Sequence, residues 1–158
     1  MNLINDRWIP IRRADGSPDK IASWEITQDI HDEGKNIIAV ASPRPDFDGA
    51  LTQFLIGLLQ TACTPETEDK WWDWRERPPQ QTILQNLFEP FIPFFELEGD
   101  ITRFMQDFQH AELTASYEIA ALFIEAPGEK TLKENKDHFI KRGSINKLCN
   151  RSRLLPIS

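Results

Sequence analysis

The chain has 158 residues, 40 % of them hydrophobic, and a net charge of −7. One domain of this size and apolar content can build a core, which argues against global disorder, and the acidic balance argues against a general nucleic-acid binder. The apolar runs are short and interrupted by charge, and Met1-Asn2-Leu3-Ile4-Asn5-Asp6-Arg7 has no basic start before an apolar stretch, so neither a membrane partner nor a signal peptide is expected.

Residues 3–13 hold Trp8, Ile9 and Ile11 in weak alternation, which suits a strand. Pro10 cannot donate to a ladder and so points to an edge position. Asp15-Gly16-Ser17-Pro18 signals a turn, after which Lys20-Ile21-Ala22 returns as the second strand of a β-hairpin. Ser23 stands where a helix N-cap would, with Glu25 in the first turn. Trp24, Ile26 and Ile30 follow, Gly34 closes this element, and Ile37–Val40 is an apolar stretch too short to type.

Pro43-Arg44-Pro45-Asp46 breaks the chain, and Asp48 is placed to cap a helix. Phe47, Ala50, Leu51, Phe54, Leu55, Leu58, Leu59 and Ala62 then recur at helical spacing until Pro65 ends the run. No residue between Gly49 and Pro65 is charged. The spacing predicts a long, buried central helix, with even Thr52, Gln53 and Gln60 partly covered. Glu66–Arg77 is acidic and then aromatic, with Trp71, Trp72 and Trp74 beside Arg75. Arginine among tryptophans invites base stacking. The five carboxylates of the segment would repel phosphates, and packing on the core is the expected role. Pro79 opens a further helix with Ile83, Leu84, Leu87 and Phe88 on one face, and Phe88–Leu97 reads as core filling.

Gly99-Asp100 and Pro127-Gly128 are turns, and Ile119–Ile124 is apolar. Helices and short strands follow one another without a βαβ rhythm, so the fold class is α+β, a single small domain. No repeat or low-complexity tract is present.

Little of the chain suggests chemistry. No phosphate loop, dinucleotide fingerprint or nucleophile elbow occurs. His31, His110 and His138 lack metal-ligand spacing, and Asp46 and Asp48 are explained by capping. Cys63 and Cys149 are far apart, neither a disulfide framework nor a zinc site, which suits a reduced, cytoplasmic protein. No enzyme activity, cofactor or metal is expected. The charge is uneven: from Glu129 onward there are eight basic and three acidic residues, a net of +5 against −12 for the preceding part. A basic end on an acidic body is either a solvated tail or a localised anion contact. Within it, Phe139 is placed to stack on a base, Lys141 and Arg142 to meet phosphates, and Gly143 to let the backbone turn closely. Phe139 and Ile140 read equally as a strand end tucked into the core.

In order along the chain, five stretches resemble CasA, the large subunit of the type I-E CRISPR complex Cascade. They are Met1–Arg12 with its Trp8-Ile9-Pro10, Pro43-Arg44-Pro45-Asp46, Arg103-Phe104-Met105-Gln106, Pro127-Gly128-Glu129 and Asp137–Gly143. The resemblance covers nearly all of residues 1–149. It implies a non-catalytic protein whose partners are other Cascade subunits, with the 5′ handle of the guide RNA (crRNA) or the DNA near the protospacer-adjacent motif (PAM) close by. It also implies that Phe139, Ile140, Lys141, Arg142 and Gly143 form the loop that docks the subunit. Relatives of this kind are several times longer and often carry C-x-x-C after the loop, whereas Cys149 is followed by Asn150-Arg151-Ser152. Residues 150–158 then read as an unrelated tail, as a frameshift or truncation would leave. The expected function is a decoy that takes the large subunit's slot and blocks DNA recognition. A fragment that supports target binding and an inert remnant are the alternatives.

Overall fold

Alternation at Ile9 and Ile11 buries one face of a strand, and the turn that follows is fixed by its own side chains. Strand β1 spans Ile9–Arg13 and pairs antiparallel with β2, Pro18–Ile21, in the register Ile9 with Ile21 and Ile11 with Asp19. Gly16 sits at φ +84°, a left-handed conformation that favours glycine, and the Ser17 N–H donates to Asp15 Oδ1 at 2.8 Å. Strand β3, Ile37–Val40, lies on the other side of β1, giving the order β2-β1-β3. β1 is therefore the central strand, not an edge. Pro10 is tolerated because it stands next to the strand's start, and its carbonyl still accepts the Ala41 N–H at 2.9 Å. The strand is also shorter than its sequence suggests. Asn2 Oδ1 accepts the N–H groups of Ile4 and Asn5, which turns residues 2–5 away from extension.

Ser23 opens a short 3-10 turn, Ser23–Glu25, but does not cap it. Its hydroxyl donates to the Leu3 carbonyl at 2.7 Å, and Glu25 Oε2 accepts the Ala22 N–H at 2.8 Å. Helix α1 spans Pro45–Ala62, with Pro45 at its first position, where the missing N–H costs nothing. Asp48 does not cap this helix; it accepts the Ser42 N–H at 2.6 Å upstream of it. The helix is long as expected but sunk on one side only. Leu51 and Leu58 are buried, while Thr52, Gln53 and Gln60 are exposed, since uncharged side chains are compatible with burial but do not enforce it.

Helix α2, Glu68–Glu76, is capped by Thr67, whose hydroxyl accepts the Lys70 N–H at 3.2 Å. Helix α3, Gln81–Phe88, buries Leu84 and Phe88 and leaves Ile83 exposed. It runs into a 3-10 turn, Glu89–Phe95, where the prolines forbid further α-helix. The core gathers Ile4, Leu58, Cys63, Leu84 and Phe88, with Trp24, Phe54, Trp74 and Phe95 packed around it. Phe104 stacks on Phe95 with centroids 4.9 Å apart and meets Phe54 edge-on at 5.9 Å.

The computed structural model describes residues 1–99, 103–105 and 127–138, in two units, Met1–Gln106 and Asp107–Ser158. In the second unit a short helix, α4, spans Glu129–Lys133. A three-stranded antiparallel sheet followed by helices is the α+β class that the sequence implies.

Candidate functional site

The segment expected to dock the chain, Phe139, Ile140, Lys141, Arg142 and Gly143, lies outside the described residues, but the chain leading up to it is defined. Gly128 precedes α4, and Lys130 and Lys133 fall in its last turn, where cations complement the unpaired carbonyls. The helix then stops on a two-bond motif. The Lys136 N–H donates to the Thr131 carbonyl at 3.0 Å, and the Asn135 N–H donates to the Leu132 carbonyl at 3.2 Å. Asn135 takes the left-handed conformation this motif requires, φ +50°. Lys136 pairs with Glu134 at 2.5 Å, Asp137 is buried, and His138 is exposed. The segment therefore leaves a helix whose end is fixed by its own backbone, with three exposed cations, Lys130, Lys133 and Lys136, just before it. Glu129, Glu134 and Asp137 balance these lysines, so the stretch leading into the segment has no net charge of its own.

The other stretches singled out in the sequence are structural where they are described. Asn2 Nδ2 donates to the Ile92 carbonyl at 2.8 Å and to Glu96 Oε1 at 2.9 Å. Arg13 donates to Asp19 at 2.9 Å and lies 3.3 Å from Asp29. The hydrogen bond from Arg13 is the main reason that the Asp19 carboxyl is held below its usual range, and the same bond holds the guanidinium above its own. Arg44 makes a two-point contact with Asp46, at 3.0 and 2.9 Å, which lowers the Asp46 carboxyl in the same way. Asp15 is lowered by its hydrogen bonds with Ser17. No signal short of the folded contacts marks Asn2 or Phe104 as ties across the first unit.

The tryptophans divide. Trp74 packs on the core, as expected. Trp71 and Trp72 do not: they are 48 % and 47 % exposed, meet each other edge-on at 4.9 Å, and share Arg75, whose guanidinium lies 5.8 and 5.1 Å from their rings. Neighbouring residues on a helix point about 100° apart, so three tryptophans within four positions do not share one buried face. Burial pushes the Cys63 thiol up, which keeps it protonated at neutral pH. Among the described residues no three His, Cys, Asp or Glu side chains are grouped to hold a metal ion, and no helix is long and apolar enough to cross a membrane. His110 and Cys149 lie outside the described residues.

The family profile of the CRISPR-associated protein Cse1 matches residues 2–152. Two solved structures have a similar fold. Thermobifida fusca Cse1 has a TM-score of 0.64 and 19 % identity, over 84 % of this chain and 25 % of that one. Thermus thermophilus CasA (Cse1) has a TM-score of 0.56 and 22 % identity, over 72 % of this chain and 24 % of that one. No curated protein matches by sequence. The chain thus spans about a quarter of the length of these structures. With a match that takes in nearly every residue from Asn2 to Ser152, the chain belongs to the Cse1 family of CRISPR-associated proteins.

Proposed function

We propose that the chain is a non-catalytic binding module that docks onto type I-E Cascade in the place of the large subunit and inhibits recognition of target DNA. The observation that carries this reading is the Cse1 family match, which runs to residue 152 and so takes in the segment from Phe139 to Gly143. The partners are the other Cascade subunits, with Lys141 and Arg142 meeting phosphates of the crRNA 5′ handle or of PAM-proximal DNA. Seated in the slot, this chain, which spans about a quarter of the length of those structures, excludes the longer subunit. It wins the slot only if it binds at least as tightly as the full subunit or is in excess.

The test is retention of the chain on Cascade assembled without its large subunit, repeated with the full subunit competing. Retention with displacement of the full subunit and loss of DNA binding is expected. Retention with DNA binding intact overturns the inhibitory part and makes the chain a working portion of the subunit. No retention overturns the docking itself. The double variant Lys141→Glu/Arg142→Glu is expected to weaken retention and to flatten the log–log salt slope by roughly 1.4 to 1.8, as the loss of two phosphate contacts requires.

A further inference from the structure

Helix α2 buries none of its residues and turns two indoles outward, Trp71 and Trp72. A single exposed apolar side chain is ordinary on a protein surface. Two large aromatic rings side by side form a patch, and tryptophan patches mark places where another molecule packs.

The charges around the patch say what kind of molecule fits. Beside Trp71 an open groove of about 570 Å³ lies where α1 meets α2. Leu59, Cys63, Pro65 and Trp71 give it apolar walls, and Glu66 and Glu68 line it with carboxylates. No Lys, Arg or His lines it. Leu59 and Cys63 bring the C-terminal end of the 18-residue helix α1 to this groove, and the last turn of that helix has no basic residue to offset its carbonyls. The positive end of α2 starts here too, but its first turn already holds Glu68 and Asp69. Neither Glu66 nor Glu68 forms an ion pair among the described residues. The neighbouring cations are engaged elsewhere. Lys70 lies 5.5 Å from the Trp74 ring, Arg75 serves Trp71 and Trp72, and Arg77 pairs with Asp73 at 2.7 Å.

An indole face, two carboxylates without an ion pair and the carbonyl end of a helix all favour a cation, and all disfavour phosphate. Arginine suits the set best, because its planar guanidinium can lie on an indole and make a two-point contact with a carboxylate. Arg75 shows within the chain that these rings accept a guanidinium. We propose that the groove between α1 and α2, with Trp71 as one wall, binds an arginine side chain that a partner protein presents beside an apolar residue. The apolar neighbour packs on Leu59 and Pro65 while the guanidinium meets Trp71 and the carboxylates of Glu66 and Glu68. The site uses none of residues 139–143, so it stands or fails apart from docking onto Cascade.

The experiment titrates the 158-residue chain with the peptide acetyl-Gly-Leu-Arg-Leu-Gly-amide and follows the indole N–H resonances of the isotope-labelled protein. A saturable shift of the Trp71 resonance with a Kd below about 1 mM is expected. The same peptide with citrulline in place of arginine keeps the shape and loses the charge, and it should bind about tenfold more weakly. Trp71→Ala and Glu66→Gln/Glu68→Gln should each weaken the arginine peptide about threefold to fivefold while the melting temperature holds. Trp72→Ala serves if Trp71→Ala fails to fold. Glu33→Gln/Glu89→Gln, which removes as much charge outside the groove, should leave binding unchanged. No saturable binding, or equal binding of the citrulline peptide, overturns the proposal. Equal losses in the two double variants also overturn it, since the peptide then answers only to the acidity of the whole surface. A homodimer that Trp71→Ala dissolves, and that the peptide does not displace, overturns it as well and gives the patch to a second copy.

Discussion

Asn2 is nearly invisible in the sequence and central in the structure. Its amide nitrogen holds Ile92 and Glu96, and its oxygen holds the N–H groups of Ile4 and Asn5. Asn2→Ala strands buried backbone groups and is expected to cost about 2–4 kcal/mol, read as a lower urea midpoint. Asp19 gives a pH signature. Its folded carboxyl titrates below the usual value, chiefly through Arg13. It therefore stabilises the fold above about pH 4, and that stabilisation is lost as pH falls through the lowered value. Asp19→Asn should lower the urea midpoint at pH 7, and the gap from the parent chain should close in strong acid. Cys63, buried and with its thiol pushed up, should react slowly with a thiol reagent at pH 7 until urea opens the fold.

At the scale of elements, two glycines should respond oppositely to alanine. Gly57→Ala should stabilise the free chain by about 0.5–1 kcal/mol, because the site is open and the helix gains propensity. Gly16→Ala should destabilise it by about 1–2 kcal/mol, because φ +84° opposes a side chain. Thermal melts of the two variants check both signs. The same contrast shows what was legible beforehand. Helical spacing located α1, and turn chemistry located the hairpin, since both are local properties. β3 was not legible: four apolar residues become a strand only by pairing with β1, whose position between two neighbours also overrode the edge signal of Pro10. Ser23 looked like a cap because its position fits one, yet the Leu3 carbonyl competes for its hydroxyl from 20 residues away. The exposure of Trp71, Trp72 and Ile83 was missed because hydrophobicity predicts burial only on average. Of the candidate site, the sequence offers the segment by resemblance alone, and the stop at Asn135 before it follows from a left-handed residue that composition does not reveal.

For the whole molecule, the charge is split along the sequence, −12 before Glu129 and +5 from it onward. The acidic part repels phosphates, and the proposed contact with them is assigned to the basic end, which includes Lys141 and Arg142. High salt should therefore weaken retention on Cascade. The tie between Asn2 and Glu96 has a bearing on how the chain is made. These residues stand 94 positions apart. At roughly 5–20 residues per second on the ribosome, Asn2 waits about 5–20 s before its partner is even synthesised. The hairpin of β1 and β2 is free to form in that interval. The closure that joins Met1–Leu3 to Phe95–Leu97 is not, so a nascent chain stalled before Glu96 keeps its first residues open to chaperones and proteases.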